Sequence, residues 1–408
     1  MAKLADDIEQ ARARALAAID AANGELRDLS LDIHAHPELA YHEVHAHEVL
    51  TNFLEQRGFA VQRGAHDLPT AFRATFGSGA PTVAVLCEYD ALPGIGHACG
   101  HNLIATSGVA TGLALAEVLG EGDGTIVVLG TPAEERDGGK ADLIRNGAFE
   151  GVDAALMMHP GGQSPQMPPG SVRVRAKPNA LHALTVRYRG KNAHAAGRPW
   201  DGLNALDAMI HAYNGIGLLR QQLRPTARVH GIITEGGQAP NIIPDRTAAY
   251  FYVREDTVAH LEALKPRIVA CFEAAAHATG TELDLTWEGN PYTDMQNSTP
   301  LADTYERWAI EQGMDPVEPE TAGAGSTDMG NVTYAVPGLH PSYAVESTAG
   351  NHNPGFTEAA ASEEAHTRML AASKALALTF IDLFADPALL AEAKREFDER
   401  AAARVEEG

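Results

Sequence analysis

The chain has 408 residues, 45% apolar and 21% charged, with 54 Asp and Glu against 31 Lys and Arg, a formal net charge of −23. That length holds two or three domains, or one large domain with an insertion, and a sizeable core. The acid excess argues against nucleic acid or an anionic membrane as partner, because both need basic patches. No apolar run approaches the roughly 20 residues of a membrane span, and the charged N-terminal stretch does not read as a secretory signal. Three widely spaced cysteines give no disulfide framework, so a reducing, cytoplasmic setting is expected.

In chain order, residues 3–30 read as an amphipathic helix and residues 36–59 as a second. "TAFRATFG" and "PTVAVLCEYDALP" read as strands, the second apolar enough to be buried on both faces. After the glycine-rich turn "GIGHACGH", residues 102–119 read as a helix. "GTIVVLGTPAEE" is a further buried strand, "GKADLIRNGAFEGV" a short helix, and "DAALMMHP" a third apolar strand ending at His159. Strands alternating with helices indicate an α/β domain with a central, mostly parallel sheet. The style changes near Ala180. "HALTVRYRGKNAHAA" alternates like a half-exposed strand, and a helix, two strands, a helix and the strand "ELDLTWEG" follow. That order is an α+β (βαββαβ) module. From about Pro291 the earlier style resumes, with a helix near "LADTYERWAIEQG", a loop "TAGAGSTDMGN", the strand "PSYAVES", a loop "GNHNPGF" and a closing helix from Glu358 to about Phe384. The expected organisation is therefore one α/β domain, 1–180 and 292–408, interrupted by an insert at 181–291.

In open α/β sheets, sites form at the carboxyl ends of strands. Here one strand leads to Cys99 and His101, the next to Glu134 and Glu135, and a third ends at His159; His352 lies in the late loop. Thiolate, imidazole and carboxylate together suit zinc or a similar transition metal rather than magnesium or calcium. These are more donors than one tetrahedral zinc takes, which points to two metals sharing a ligand. Taken singly, each residue also has an ordinary reading: a packed turn, a solvated acidic pair, a histidine closing a strand. Spacing alone leaves both accounts standing.

The stretches "CEYDALPGIGHACGHN", "LGTPAEE", "MMHP", "GKNAHAA", "GGQAPNIIPD", "GSTDMGN" and "GNHN" resemble the aminoacylase and carboxypeptidase family of dinuclear metal amidohydrolases. Within it they resemble the amino-acid amide and p-aminobenzoyl-glutamate hydrolases, and most of all the aminoacylase-like dipeptidases acting on β-alanyl dipeptides. The resemblance implies two divalent ions per subunit, zinc, manganese or cobalt, held by Cys99, His101, Glu135, His159 and His352. Cys99 stands where many relatives carry a bridging aspartate. Those relatives also use His-x-Asp after the second strand, where this chain has Glu88 and Asp90. Asp90 then orients a ligand or stiffens the turn.

The resemblance further implies that metal-activated water cleaves the amide bond of a dipeptide or N-acyl amino acid bearing a free carboxylate. Glu134 is the general base. His194, in the insert, matches a histidine that stabilises the oxyanion in a neighbouring subunit of a homodimer. Asn241, Arg254 and Ser326 match substrate-binding positions, and the insert serves as lid and dimerisation domain. Three other readings remain: an inactive or regulatory binding protein of the same fold, a p-aminobenzoyl-glutamate-type aryl-amide hydrolase, and a hydrolase using Cys99 as a thiol nucleophile.

Overall fold

The computed structural model describes residues 7–318 and 325–407. The chain forms two compact units. One takes in the chain up to Lys177 and again from Met295; the other is Pro178–Asp294, joined by Gly325 and Ser326.

The first unit is built on a six-stranded sheet in the order Ala60–Arg63, Phe72–Ser78, Gly124–Gly130, Thr82–Cys87, Ala154–Leu156, Gly338–Leu339. The last four strands are mutually parallel, and the first two pair antiparallel at one edge. Successive side chains of a strand point to opposite faces, and the packing follows that rule. Val83, Val85 and Cys87 join one core cluster with Leu103, Val109 and Leu113. Ala84 and Leu86 join another with Leu143, Met329 and Val332. Both faces are covered, which is why these strands read as unbroken apolar runs.

Helix His101–Ala116 is buried nearly all round, packed between this sheet and the helices Ile8–Ala21, Asn23–Ala35 and Glu363–Ala385. Small residues let it approach the sheet. A Cβ on Gly108 would sit 2.4 Å from Cys87 Sγ, and one on Gly112 would sit 2.5 Å from Val128 Cγ2. A second sheet of the same unit orders Asp315–Pro316, Ser171–Arg173, Ser342–Val345 and His159–Gly162.

Several boundaries differ from the sequence reading. The first helix breaks at Ala22, giving Ile8–Ala21 and Asn23–Ala35; residues 3–6 lie outside the described residues. The second helix begins only at Val44, because Pro37 and a left-handed Tyr41 end any earlier helix and the Glu38 carboxylate takes the His45 and Ala46 N–H groups as a cap. The run at 153–160 is not one strand. It stops at Leu156, and His159 opens a strand in the second sheet, paired in parallel with Ser342–Val345. The loop read at 321–331 gives way to helix Met329–Ala335, and its residues 321–324 fall outside the described residues. The expected closing helix gives way to three, Pro354–Ala359, Glu363–Ala385 and, beyond where the sequence reading stops, Pro387–Glu407.

The second unit runs strand, helix, two strands, helix, strand. Its sheet orders Glu282–Tyr292, Ala180–Arg189, Arg246–Glu255, Arg228–Glu235, antiparallel throughout. Helices Ala205–Leu219 and Val258–Thr279 cover one face, with Leu184, Val186, Tyr188, Phe251 and Val253 packed against Met209, Ile216, Leu264 and Phe272.

Candidate metal centre

Every residue expected to hold metal lies in the first unit, at or just past a strand end. The chain leaves Thr82–Cys87 and turns at Gly100, whose φ of 78° places it in the left-handed region that glycine tolerates. The turn runs tightly past the next candidate, since a Cβ on Gly100 would sit 2.6 Å from Pro160 Cγ. Glu134 and Glu135 follow Gly124–Gly130 through Ala133, a buried non-glycine residue at φ 63°, which stores about 1–3 kcal/mol of backbone strain. His352, also at φ 63°, ties its loop to the cysteine turn by donating its N–H to Ala98 O at 2.8 Å.

These side chains meet. Cys99 Sγ lies 3.5 Å from His159 Nε2. Glu135 reaches two ways, Oε1 to 3.6 Å from His101 Nε2 and Oε2 to 3.3 Å from His352 Nε2. Cys99, His101 and His159 form one trio of donor atoms within 4.8 Å of one another, and Cys99, Glu135 and His352 form a second within the same distance. Cys99 belongs to both. A third set, His101, Glu134 and Glu135, joins them.

Asp90 orients the group. Its Oδ1 accepts from His101 Nδ1 at 3.0 Å and its Oδ2 from the Glu135 N–H at 2.9 Å. The first bond fixes the His101 tautomer and leaves Nε2 to face inward, the arrangement metal-ligating histidines adopt. His159 does the same through Nδ1–H to Pro160 O at 2.7 Å.

The chemistry of this set calls for cations. His101 Nε2 and Glu135 Oε1 are buried without a hydrogen-bond partner. Burial and the carboxylates Glu88, Glu135 and Asp328 push Glu134 well above the usual carboxylate range. Burial holds Glu135 up at about 7 against the pull of His101. Burial and Glu135 push the Cys99 thiol up. A thiol nucleophile is favoured by a depressed pKa and an electropositive setting; the direction at Cys99 is the reverse, and the thiol stands among metal-ligand side chains, His101, His159, Glu135 and His352. Divalent ions would offset the crowded negative charge and stabilise the thiolate, and the donors present fit such ions.

The family model for Peptidase family M20/M25/M40 matches residues 84–373. The chain belongs to this family. It is 43% identical over 411 residues to the Xaa-Arg dipeptidase of Mus musculus, covering 96% of this chain and 93% of the relative. It is 30% identical over 457 residues to a p-aminobenzoyl-glutamate hydrolase polypeptide of Escherichia coli K12, covering 93% of each. Among solved structures, a dinuclear metal-binding M20 peptidase of Bacillus subtilis superposes with a TM-score of 0.68 at 22% identity, over 90% of this chain and 99% of that one. An aminobenzoyl-glutamate utilization protein of Klebsiella pneumoniae superposes with 0.71 at 19% identity, over 89% and 97%. This M20 chain is thus an enzyme, a metal-dependent amide hydrolase.

Sequence reasoning missed several residues packed around this cluster. Glu43 is fully buried, and its carboxylate accepts from Ala133 N at 2.9 Å and Thr70 Oγ1 at 2.8 Å, holding the strained turn before Glu134. The Asn351 amide donates to Cys99 O at 3.3 Å and Pro160 O at 3.1 Å. Lys140, also fully buried, bridges Glu88 and Asp328. Burial opposes charge on Glu88, but Lys140, His101 and His159 outweigh it and hold the carboxyl at about 2. Nothing in the linear pattern marks Glu43 or Lys140, since both types ordinarily face solvent.

The remaining expected residues lie in the second unit. His194 and Asn241 sit on paired loops: His194 bridges to Ile242, and Ala195 N–H donates to Asn241 O at 3.0 Å. His194 is exposed, and its Nδ1 accepts from the Ala196 and Gly197 N–H groups at 3.2 and 3.1 Å. That leaves Nε2 to carry the proton. Arg254 donates to Ser326 Oγ at 2.9 Å, with its guanidinium 5.4 Å from the Tyr252 ring centre.

Proposed function

We propose that this M20 enzyme is a dipeptidase whose preferred substrates end in arginine or a similarly basic residue, and that its centre holds two divalent ions, zinc or manganese, through Cys99, His101, Glu135, His159 and His352. The observation that carries the proposal is the pair of donor trios sharing Cys99. Ions held there would supply Lewis acidity to the scissile carbonyl and acidify water. Glu134 takes the proton of the attacking water and passes it to the leaving amine. A carboxyl whose pKa is driven upward by burial and then by its acidic neighbours is suited to holding a proton between those steps.

The basic preference is supported by the 43% identity to a protein named Xaa-Arg dipeptidase and by the net charge of −23, which attracts cations at long range. His194 serves as oxyanion donor through Nε2–H, and Asn241, Arg254 and Ser326 hold the substrate carboxylate and amide, Arg254 by paired hydrogen bonds. The enzyme works as a homodimer through the inserted unit. Strand Arg228–Glu235 is a sheet edge with Ile232 and Ile233 exposed, and helix Ala205–Leu219 exposes Ile210 and Leu218. Apolar edges of that kind ordinarily pair with another chain.

The test is a substrate panel run with metals counted by elemental analysis: Xaa-Arg and Xaa-Lys dipeptides, neutral dipeptides, N-acyl amino acids and p-aminobenzoyl-glutamate. Preference for basic dipeptides, abolished by chelator and restored by metal, supports the reading. Preference for the aryl amide overturns the substrate assignment, and chelator-resistant turnover overturns the centre.

A further inference from the structure

Neither the proposed ligand set nor the proton transfer gives Glu88 a role, yet one of its oxygens faces a proposed ligand. Glu88 is fully buried just past strand Thr82–Cys87. Its Oε2 accepts from Lys140 Nζ. Its Oε1 has no hydrogen-bond partner and lies 3.9 Å from His101 Nε2, itself without one. Lys140 is held from the far side as well: Nζ donates to Asp328 Oδ1 at 2.7 Å, and its backbone N–H donates to Asp328 Oδ2 at 2.9 Å. The ammonium therefore has a fixed position, and it fixes which way the Glu88 carboxylate faces.

Two donors on one zinc-like ion, each about 2.0–2.2 Å from it, cannot lie more than about 4.4 Å apart. The Glu88–His101 separation falls inside that limit. So do those of Glu134 Oε2 and Glu135 Oε1 from the same nitrogen, at 3.9 and 3.6 Å. A lone pair buried beside an inward-facing imidazole nitrogen, with its other oxygen tied back, is placed to meet a cation.

We propose that Glu88 is a further metal-facing carboxylate of the Cys99–His101–His159 trio, and that Lys140 is the positioning residue that aims it. The proposal rests on the dinuclear reading above. Because the carboxylate arrives with its own ammonium, the clamp adds an oxygen donor while offsetting the negative charge it brings. Lys140 acts through Glu88 and touches neither substrate nor ion.

The experiment measures ion retention. Wild type, Glu88→Gln and Lys140→Gln are loaded with zinc, dialysed against a graded chelator series, and counted by elemental analysis. In parallel, cobalt-loaded samples are read by visible absorption. Glu88→Gln keeps the side-chain shape and an oxygen for Lys140, but turns an amide NH2 toward His101. The expected result is one ion held at least about 10-fold more weakly, the scale seen when groups supporting a metal site are removed, with the second ion retained and the cobalt bands altered. Lys140→Gln should weaken the same ion. Equal retention and an unchanged cobalt spectrum in folded Glu88→Gln would overturn the proposal and leave a purely structural ion pair. If either Gln variant does not fold, Glu88→Asp decides: it keeps the charge and withdraws the oxygen by one methylene, so undiminished retention refutes the proposal and weakened retention supports it. Failure of the underlying reading is distinguishable, because the wild type itself would then not bind two ions.

Discussion

Replacing Asp90 by asparagine tests how far one buried carboxylate organises the centre. Its two oxygens serve two proposed ligands, at 3.0 Å from His101 Nδ1 and 2.9 Å from the Glu135 N–H. Asp90 and His101 are 1% and 0% exposed, so water cannot substitute. Asparagine keeps one acceptor and turns an NH2 toward the other donor. Whichever way it rotates, one of the two ligands loses its support. A hydrogen bond to a charged acceptor contributes about 1.5–3 kcal/mol, so the protein stripped of metal should unfold at lower urea by roughly 2 kcal/mol. Loss of the group that fixes a ligating histidine weakens metal binding about 10–100-fold. Chelator competition with elemental analysis reads the second effect and urea midpoints the first. If Asp90→Asn holds both ions within twofold of wild type, then Asp90 does not orient the ligands and the reasoning about the His101 tautomer is wrong.

Glu134→Gln should retain both ions and lower turnover by roughly 10²-fold or more, the scale of general acid–base assistance; full activity would remove Glu134 from the proton transfer. Gly139→Ala should damage the loop bearing Glu134 and Glu135, because the new Cβ would stand 1.9 Å from Pro132 O, a backbone atom. A loss of about 1–3 kcal/mol with weaker metal retention is expected, and a neutral substitution would show that the loop yields freely. In the second unit, burial, helped by Lys265, holds the His182 imidazole down at about 4 against an ordinary 6.5. The unfolded chain therefore binds the proton more readily, so this contribution is fully present above pH 6.5 and is lost as pH falls through about 4. His182→Phe, which can keep the packing against Trp287 at 4.9 Å between ring centres, should flatten the decline in urea midpoint between pH 6.5 and 4 relative to wild type; parallel profiles would refute it.

How much of this is legible in the sequence depends on what each residue has to declare. Strands Thr82–Cys87 and Gly124–Gly130 announce themselves because both faces are covered, and the ligand-type residues beyond them follow from where such strands end. The βαββαβ order of the second unit is equally readable, since each element carries its own period. His159 reads as the end of one strand and instead opens another. Its run is apolar across a change of sheet, and hydrophobicity does not record which neighbour a strand pairs with. Lys140 is invisible for a different reason. Its partner Asp328 is 188 residues away, and a lysine beside glycines reads as solvent-facing until both counter-charges are in place. The same distance effect hides the double membership of Cys99, which depends on His352 arriving from a loop tied to Ala98.

The clamps around the centre explain why so many acids can share one small volume. Glu43 is held by Ala133 N–H and Thr70, Asp90 by His101 and the Glu135 N–H, and Glu88 and Asp328 by Lys140. Each of these carboxylates meets a protein donor on its outer side. Among the buried atoms without partners are Glu88 Oε1, Glu135 Oε1 and His101 Nε2, and both carboxylate oxygens lie within 4 Å of that nitrogen. The acids around the centre are thus satisfied on their outer sides, and the lone pairs left over converge where cations are expected. Such a site needs little rearrangement to accept its ions. Substitutions in the outer clamps should therefore act first on metal affinity and only through it on catalysis.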